Sequence, residues 1–281
     1  MKKYVLYILI IFIVLEIKAQ GKLFIIGGGK RPIQLLDRLL QEANISPDKG
    51  YIMILPYSSE EQDSSIYYAK KQFVNLGIYK STGYVATTVS QLNDLQIDSI
   101  ANADLIYVPG GDQVKFMQIV GGNAIEKAIK SAYSKGKTIA GTSAGAAIMS
   151  QKMITGVEIK HSETSEDAEK SGFQTIEAEN IQIAKGLGFL QKSIIDQHFI
   201  KRKRQNRLIA VAIENPDYMC IGVDEATAIL VNGNIATVVG DSQVLVLQSK
   251  DKKYINQNGK LSAKNLKLDL YISGQSFNIK P

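Results

Sequence analysis

Short apolar runs alternate with helix-length segments along the first half of the chain. Lys22-Leu23-Phe24-Ile25-Ile26 ends in Gly27-Gly28-Gly29, and Leu35-Leu36-Asp37-Arg38-Leu39-Leu40 then follows with helical spacing. Tyr51-Ile52-Met53-Ile54-Leu55 stops at Pro56 and leads into a helical segment from Glu60 to Leu76. Leu105-Ile106-Tyr107-Val108 ends in Pro109-Gly110-Gly111-Asp112-Gln113, and Thr138-Ile139-Ala140 ends in a serine turn. Continuous apolar runs of this length separated by helices predict βαβ units and a parallel sheet covered on both faces. Every run stops at glycine or proline, where the binding loops of such sheets lie.

After Ile148 the pattern loosens through a polar stretch from 151 to 180. It tightens again at Ser193-Ile194-Ile195-Asp196-Gln197-His198-Phe199, followed by a helix around Arg204 to Ile213. From Cys220 onward, short β-runs with turns at Asn232-Gly233 and Gly240-Asp241 predict antiparallel strands added to the same domain. There is no Pro-, Gly- or Ser-rich linker and no internal repeat, so residues 20–281 are expected to form a single α/β domain.

Residues 1–19 are set apart. Met1-Lys2-Lys3, the apolar run Tyr4 to Leu15 and the small residue at Ala19-Gln20 have the layout of a secretory signal peptide, with cleavage expected near Ala19. The run is shorter than the roughly 20 residues a spanning helix needs, so no stable membrane anchor is expected. A secreted or periplasmic location follows.

Composition narrows the chemistry. A formal charge of +6 over 281 residues, with Trp absent and no stripe of basic and aromatic residues, does not point to nucleic acid. The lone cysteine, Cys220, allows no intrachain disulfide, and one Cys with two His makes no ordinary zinc site. Neither a metal nor a cofactor is expected. Gly27-Gly28-Gly29-Lys30 fits neither glycine-rich phosphate spacing.

Gly141-Thr142-Ser143-Ala144-Gly145, set between an apolar run and Ala146-Ala147-Ile148-Met149, is a GxSxG nucleophile turn. A serine nucleophile needs a base, most often a histidine oriented by a carboxylate. Only His161 and His198 are available; His198 ends an apolar run that can hold it rigidly, whereas His161 sits in a polar loop. For the carboxylate, Glu158, Glu163, Glu166 and Asp167 are open candidates. An oxyanion hole would draw on the amide of Ala144 and on the Gly110-Gly111 turn. Lys201-Arg202-Lys203-Arg204-Gln205-Asn206-Arg207, next to His198, offers guanidinium forks for a substrate carboxylate, with Arg204 and Arg207 three apart on one helix face.

Taken together, Val108-Pro109-Gly110-Gly111-Asp112-Gln113, Gly141-Thr142-Ser143-Ala144-Gly145-Ala146 and Asp196-Gln197-His198-Phe199 with its arginines resemble the cyanophycinase family of serine peptidases. Gly222-Val223-Asp224-Glu225-Ala226-Thr227-Ala228 looks like that family's C-terminal part. The resemblance implies an α/β three-layer sandwich, flavodoxin-like and class I glutamine amidotransferase-like, with a mostly parallel central sheet. It implies Ser143 as nucleophile, His198 as base, Gly111 and Ala144 as oxyanion donors, and a substrate pocket of Gln113, Asp196, Gln197, Arg202, Arg204 and Arg207. A Ser-Glu step after the elbow aligns Glu163 as the acid. Such enzymes cleave after aspartyl units, and cyanophycinases release β-Asp-Arg dipeptides from a polymer. A peptide or cyanophycin-like polymer is thus the expected partner, and a homodimer is compatible with the sequence. The chain departs from the family where acidic residues would follow the first glycines, carrying Lys30-Arg31-Pro32 instead. An aspartyl dipeptidase, an α/β-hydrolase-type esterase and a non-catalytic binder of acidic peptides are the alternative readings.

Overall fold

The computed structural model describes residues 20–161, 173–250, 254–255 and 257–279. In chain order the elements are β1 (Leu23–Ile26), α1 (Ile33–Glu42), β2 (Ile52–Ile54), α2 (Gln62–Val74), β3 (Ser81–Gly83), α3 (Asp94–Ala101), β4 (Leu105–Val108), α4 (Gln113–Val120), α5 (Ala124–Ser134), β5 (Thr138–Thr142) and α6 (Ala144–Ala147). There follow β6 (Lys152–Glu158), β7 (Ile181–Lys185), β8 (Ser193–Gln197), α7 (Gln205–Glu214), β9 (Met219–Val223), β10 (Thr227–Asn232), β11 (Ile235–Gly240), β12 (Gln243–Gln248), β13 (Tyr254–Ile255), β14 (Leu261–Ser262), β15 (Lys267–Ile272) and β16 (Ser276–Asn278).

The central sheet has the order β16-β11-β10-β1-β5-β4-β2-β3. Strands β1, β5, β4, β2 and β3 run parallel, and β10, β11 and β16 add to the β1 edge in antiparallel fashion. Alternation along each strand sorts side chains onto two faces. Leu23, Ile25, Met53, Ile106 and Ile139 face one core, which they share with α3 to α6. Phe24, Ile26, Ile54, Leu105 and Tyr107 face the other, against the leucine stripe of α1 and Phe73 of α2. Burial on both faces is why these strands read as unbroken apolar runs. The fold is the expected α/β architecture with a large, mostly parallel central sheet.

The last third is not antiparallel throughout, and it divides between two sheets. Strands β10, β11 and β16 do extend the central sheet, but β9, β12 and β15 join β8 in a second sheet of order β15-β12-β9-β8. The cause lies in α7, which connects β8 to β9 as a crossover and so makes them parallel neighbours. Leu208 and Val211 of α7 cover Ile194, Cys220 and Leu247 on one face of this sheet, while Ile195, Ile221 and Val244 turn into the central core. The polar stretch after Ile148 also contains structure, because β6 pairs with β7.

Three backbone hydrogen bonds stitch the carboxyl ends of these strands together. Ser143 N–H donates to Ile26 O (3.1 Å), His198 N–H to Gly27 O (2.7 Å) and Ala226 N–H to Gly28 O (3.0 Å). The last residue of β1 and the two glycines after it are thus the common anchor for the turns after β5, β8 and β9. At the β5 turn the backbones touch: a Cβ on Gly141 would lie 2.0 Å from Gly145 O, and one on Gly145 would lie 2.3 Å from Val108 O. Gly141→Ala is therefore expected to lower unfolding free energy by about 2–3 kcal/mol, as overpacking against unyielding backbone does; denaturant titration at unchanged m-value checks this, and a loss below about 0.5 kcal/mol would refute it.

Candidate active site

Ser143 sits between β5 and α6 at φ 55°, ψ −112°, a left-handed conformation that lifts its side chain out of the sheet edge. His198 follows β8 at φ 50°, and Ala226, after β9, has φ 52°. Non-glycine residues pay roughly 1–3 kcal/mol each for such geometry, and three of them converge on one spot. His198 Nε2 lies 2.9 Å from Ser143 Oγ, and its Nδ1 lies 2.6 Å from Glu225 Oε1. A carboxylate can only accept, so Nδ1 carries the proton and donates to Glu225. Nε2 then presents a lone pair to the Ser143 hydroxyl, which donates. This is the geometry of a nucleophile, a base and an orienting acid.

The ring is fixed from several sides. A Cβ on Gly28 would fall 2.3 Å from His198 Cε1, so the imidazole rests directly on the glycine backbone. The chain after His198 is held by buried Asp224, whose Oδ1 accepts from the Ile200 (3.0 Å) and Lys201 (2.9 Å) amides and whose Oδ2 accepts from Ser242 Oγ (2.7 Å). Burial lowers the His198 pKa below the ordinary value; the Glu225 hydrogen bond opposes this, and the Arg202 and Arg204 charges add to the lowering. The imidazole is consequently neutral at neutral pH, as a base must be.

A cavity of about 410 Å³ opens beside Ser143. Its walls include Gly111, Gln113, Gln197, Arg202, Arg204 and Arg207. Gln113 donates to the carbonyls of Ile154 and Thr155, which ties α4 to β6. Arg204 Nη1 donates to both the backbone and side-chain oxygens of Gln197, each at 2.7 Å. Asp196 is absent from the walls. Its carboxylate is 1% exposed, bound by Arg207 through Nε (2.9 Å) and Nη2, and accepts the Gln197 amide (2.8 Å). The expectation that Asp196 contacts substrate is thus corrected: its acceptors are consumed beneath the floor, where it fixes Arg207 against the ring of Phe173. It also answers the positive charges at the amino end of α7, whose first turn has no acid of its own.

The Gly111 and Ala144 amides have no acceptor among the described residues, and a Cβ on Gly110 would approach Ser143 Cβ to 3.3 Å. The Gly110-Gly111 turn therefore passes directly over the serine, as an oxyanion site requires. His161 lies elsewhere, with Nε2 3.1 Å from Glu177 Oε2. Among the carboxylates weighed from the sequence, Glu158 is buried and accepts from Asn180 (2.8 Å), while Glu163, Glu166 and Asp167 lie outside the described residues. The carboxylate that meets His198 is Glu225, within Gly222-Val223-Asp224-Glu225-Ala226-Thr227-Ala228. The signal that finds it is register. Gln197 pairs with Val223 across parallel strands, so the residues just beyond each strand, His198 and Asp224-Glu225, emerge side by side. Among the described residues no cluster of His, Cys, Asp and Glu could hold a metal ion, and no helix is long and apolar enough to cross a membrane.

Comparison with known proteins gives the chain a family. Residues 23–239 match the model of peptidase family S51. A cyanophycinase of a Nostoc species is 28% identical over 266 residues, covering 91% of this chain and 84% of that one. A cyanophycinase of Geminocystis herdmanii is 30% identical over 183 residues, covering 62% of each. The crystal structure of a peptidase from an acI-B1 Actinobacterium superposes with a TM-score of 0.67 at 19% identity, covering 93% of this chain and 98% of the other. A putative peptidase E of Listeria monocytogenes gives a TM-score of 0.51 at 18% identity, covering 80% and 100%.

Two outcomes are expected. In an NMR titration the His198 ring has its midpoint below the ordinary histidine value; Arg202→Gln, which removes a repelling charge, raises it, and Glu225→Gln, which removes a stabilising acceptor, lowers it further. Shifts of opposite sign would overturn the electrostatic account. Asp196→Asn leaves the buried Arg207 charge uncompensated and is expected to cost about 3–5 kcal/mol in denaturant unfolding; a loss under about 1 kcal/mol would remove Asp196 from its supporting role.

Proposed function

The chain belongs to peptidase family S51, the serine peptidases, and on that premise we propose that it hydrolyses aspartyl-linked peptides in the manner of a cyanophycinase, with Ser143, His198 and Glu225 as its catalytic residues. The observation that carries this reading is the unbroken line from Ser143 Oγ through the two ring nitrogens of His198 to Glu225 Oε1, with steps of 2.9 and 2.6 Å.

His198 Nε2 takes the Ser143 proton as Oγ adds to the carbonyl carbon of the scissile bond. The carbonyl oxygen, now an anion, is met by the Gly111 and Ala144 amides. Collapse breaks the C–N bond, and the leaving nitrogen receives the proton from His198. The acyl group is then esterified to Ser143. Water adds to that ester, gives a proton to His198, and expels Ser143 Oγ, which takes the proton back; the product is a free carboxylic acid. Glu225 holds the imidazole in the required tautomer and stabilises the imidazolium formed in each half-reaction.

Substrate choice follows from the cavity. Arg202, Arg204 and Arg207 stand on its wall beside Gln113 and Gln197. A planar guanidinium matches a carboxylate. The wall therefore suits the carboxylate of an aspartyl residue whose other carboxyl carbon lies at Ser143. The acyl half of the substrate occupies this cavity.

Ser143→Ala is expected to abolish hydrolysis of aspartyl peptides by at least about 10⁴-fold in kcat, and Glu225→Gln to lower kcat by about 10³- to 10⁴-fold. Glu163→Gln is expected to retain activity within a few-fold. Product masses from cyanophycin and from α- and β-aspartyl dipeptides provide the assay; full activity in Ser143→Ala, or a large loss in Glu163→Gln alone, would reject the assignment.

A further inference from the structure

A second cleft, of about 280 Å³, adjoins the arginine-walled cavity at the Gly110-Gly111 and Thr142-Ser143 steps. The two are separated by single residue steps. Gly110 and Thr142 line the cleft, and their successors Gly111 and Ser143 line the cavity. A peptide whose acyl half fills the cavity and whose carbonyl carbon sits at Ser143 therefore continues into this cleft on its leaving-amine side.

The cleft is built of donors. Arg31 crosses it, with Nε donating to Gln72 Oε1 (2.7 Å) and Nη1 to Gly29 O (3.1 Å). Those bonds anchor a guanidinium that has five N–H groups, and Nη2 is left over. Because Gln72 Oε1 accepts from Arg31, Gln72 Nε2 is fixed as a donor, and it is buried with no partner. Thr142 Oγ1, on a residue only 3% exposed, is also buried with no partner. Buried polar atoms are nearly always hydrogen-bonded, so two orphans in one cleft beside a nucleophile mark places for a ligand's oxygens. The one acid on the cleft, Glu61, is exposed at its rim, where solvent screens it. Lys30-Arg31-Pro32, which stands where the resemblance called for acids, thereby acquires a role.

We propose that this cleft is the subsite for the residue on the leaving-amine side and that it selects a residue bearing a side-chain carboxylate. Arg31 Nη2, Gln72 Nε2 and the Thr142 hydroxyl supply the hydrogen bonds. The proposal rests on the aspartyl-peptidase reading above, which places the acyl residue in the other cavity.

The test uses the full-length protein and three aspartyl dipeptides that differ only in the leaving residue, Glu, Gln or Lys. Wild-type kcat/KM for the Glu peptide is expected to exceed that for the Gln peptide by about tenfold or more, as for a site built to bond a missing group. In Arg31→Gln the ratio is expected to fall close to one. Gln72→Glu, which keeps an acceptor for Arg31 but replaces the orphan donor with a negative charge, is expected to lower the ratio as well, and serves should Arg31→Gln not fold. Equal wild-type rates on the Glu and Gln peptides, or a ratio untouched by either variant, would overturn the cleft assignment alone. A preference for Lys that Glu61→Gln removes would assign the cleft to a cation and overturn it too. Turnover of none of the three would defeat the aspartyl-peptidase reading on which the proposal rests.

Discussion

The imidazole of His198 lies against the backbone of Gly28 so closely that one added methyl group would occupy the ring's own space. Around that contact the rest of the site is assembled. The last residue of β1 and the two glycines after it accept hydrogen bonds from Ser143, His198 and Ala226, each of which sits in a left-handed conformation at the end of a different strand. Each strained residue needs an anchor that cannot yield, and the edge of a sheet buried on both faces supplies one. The second sheet is what brings β8 and β9 to the same edge, so that a base and its acid meet a serine carried by the central sheet.

Electrostatics at this edge are balanced between opposed demands. The Arg202 and Arg204 charges repel a proton from His198, while Glu225 draws one toward it. Burial favours the neutral ring, which is the form that can accept the serine proton. Asp196 neutralises Arg207 below the floor, so the cavity presents guanidinium groups without leaving every charge uncompensated. In the adjoining cleft, Arg31 is anchored by uncharged acceptors instead, and Gln72 and Thr142 are left with hydrogen-bonding capacity unspent.

The parallel half of the fold was legible because burial on both faces forces unbroken apolar runs, and strand ends were legible because Gly111, Gly141 and Gly145 are required by close backbone approach. His198 stood out through scarcity, being one of two histidines. Glu225 did not stand out, because its role depends on β8 and β9 being parallel neighbours in register, which no local pattern reveals. The second sheet was missed for the same reason: β-runs with turn residues between them look alike whether they extend one sheet or start another. Asp196 enters the substrate pocket only through the family resemblance, and its burial under Arg207 assigns it to support.

The central claim is that the convergence of three strand ends makes Ser143 a nucleophile through His198. A serine-reactive fluorophosphonate, followed by peptide mapping, tests it most directly. The account predicts one phosphonyl group per chain, on Ser143, acquired at a rate that falls with pH as His198 becomes protonated. Labelling at another residue, or a Ser143 that reacts no faster than the exposed serines of the surface, would contradict it.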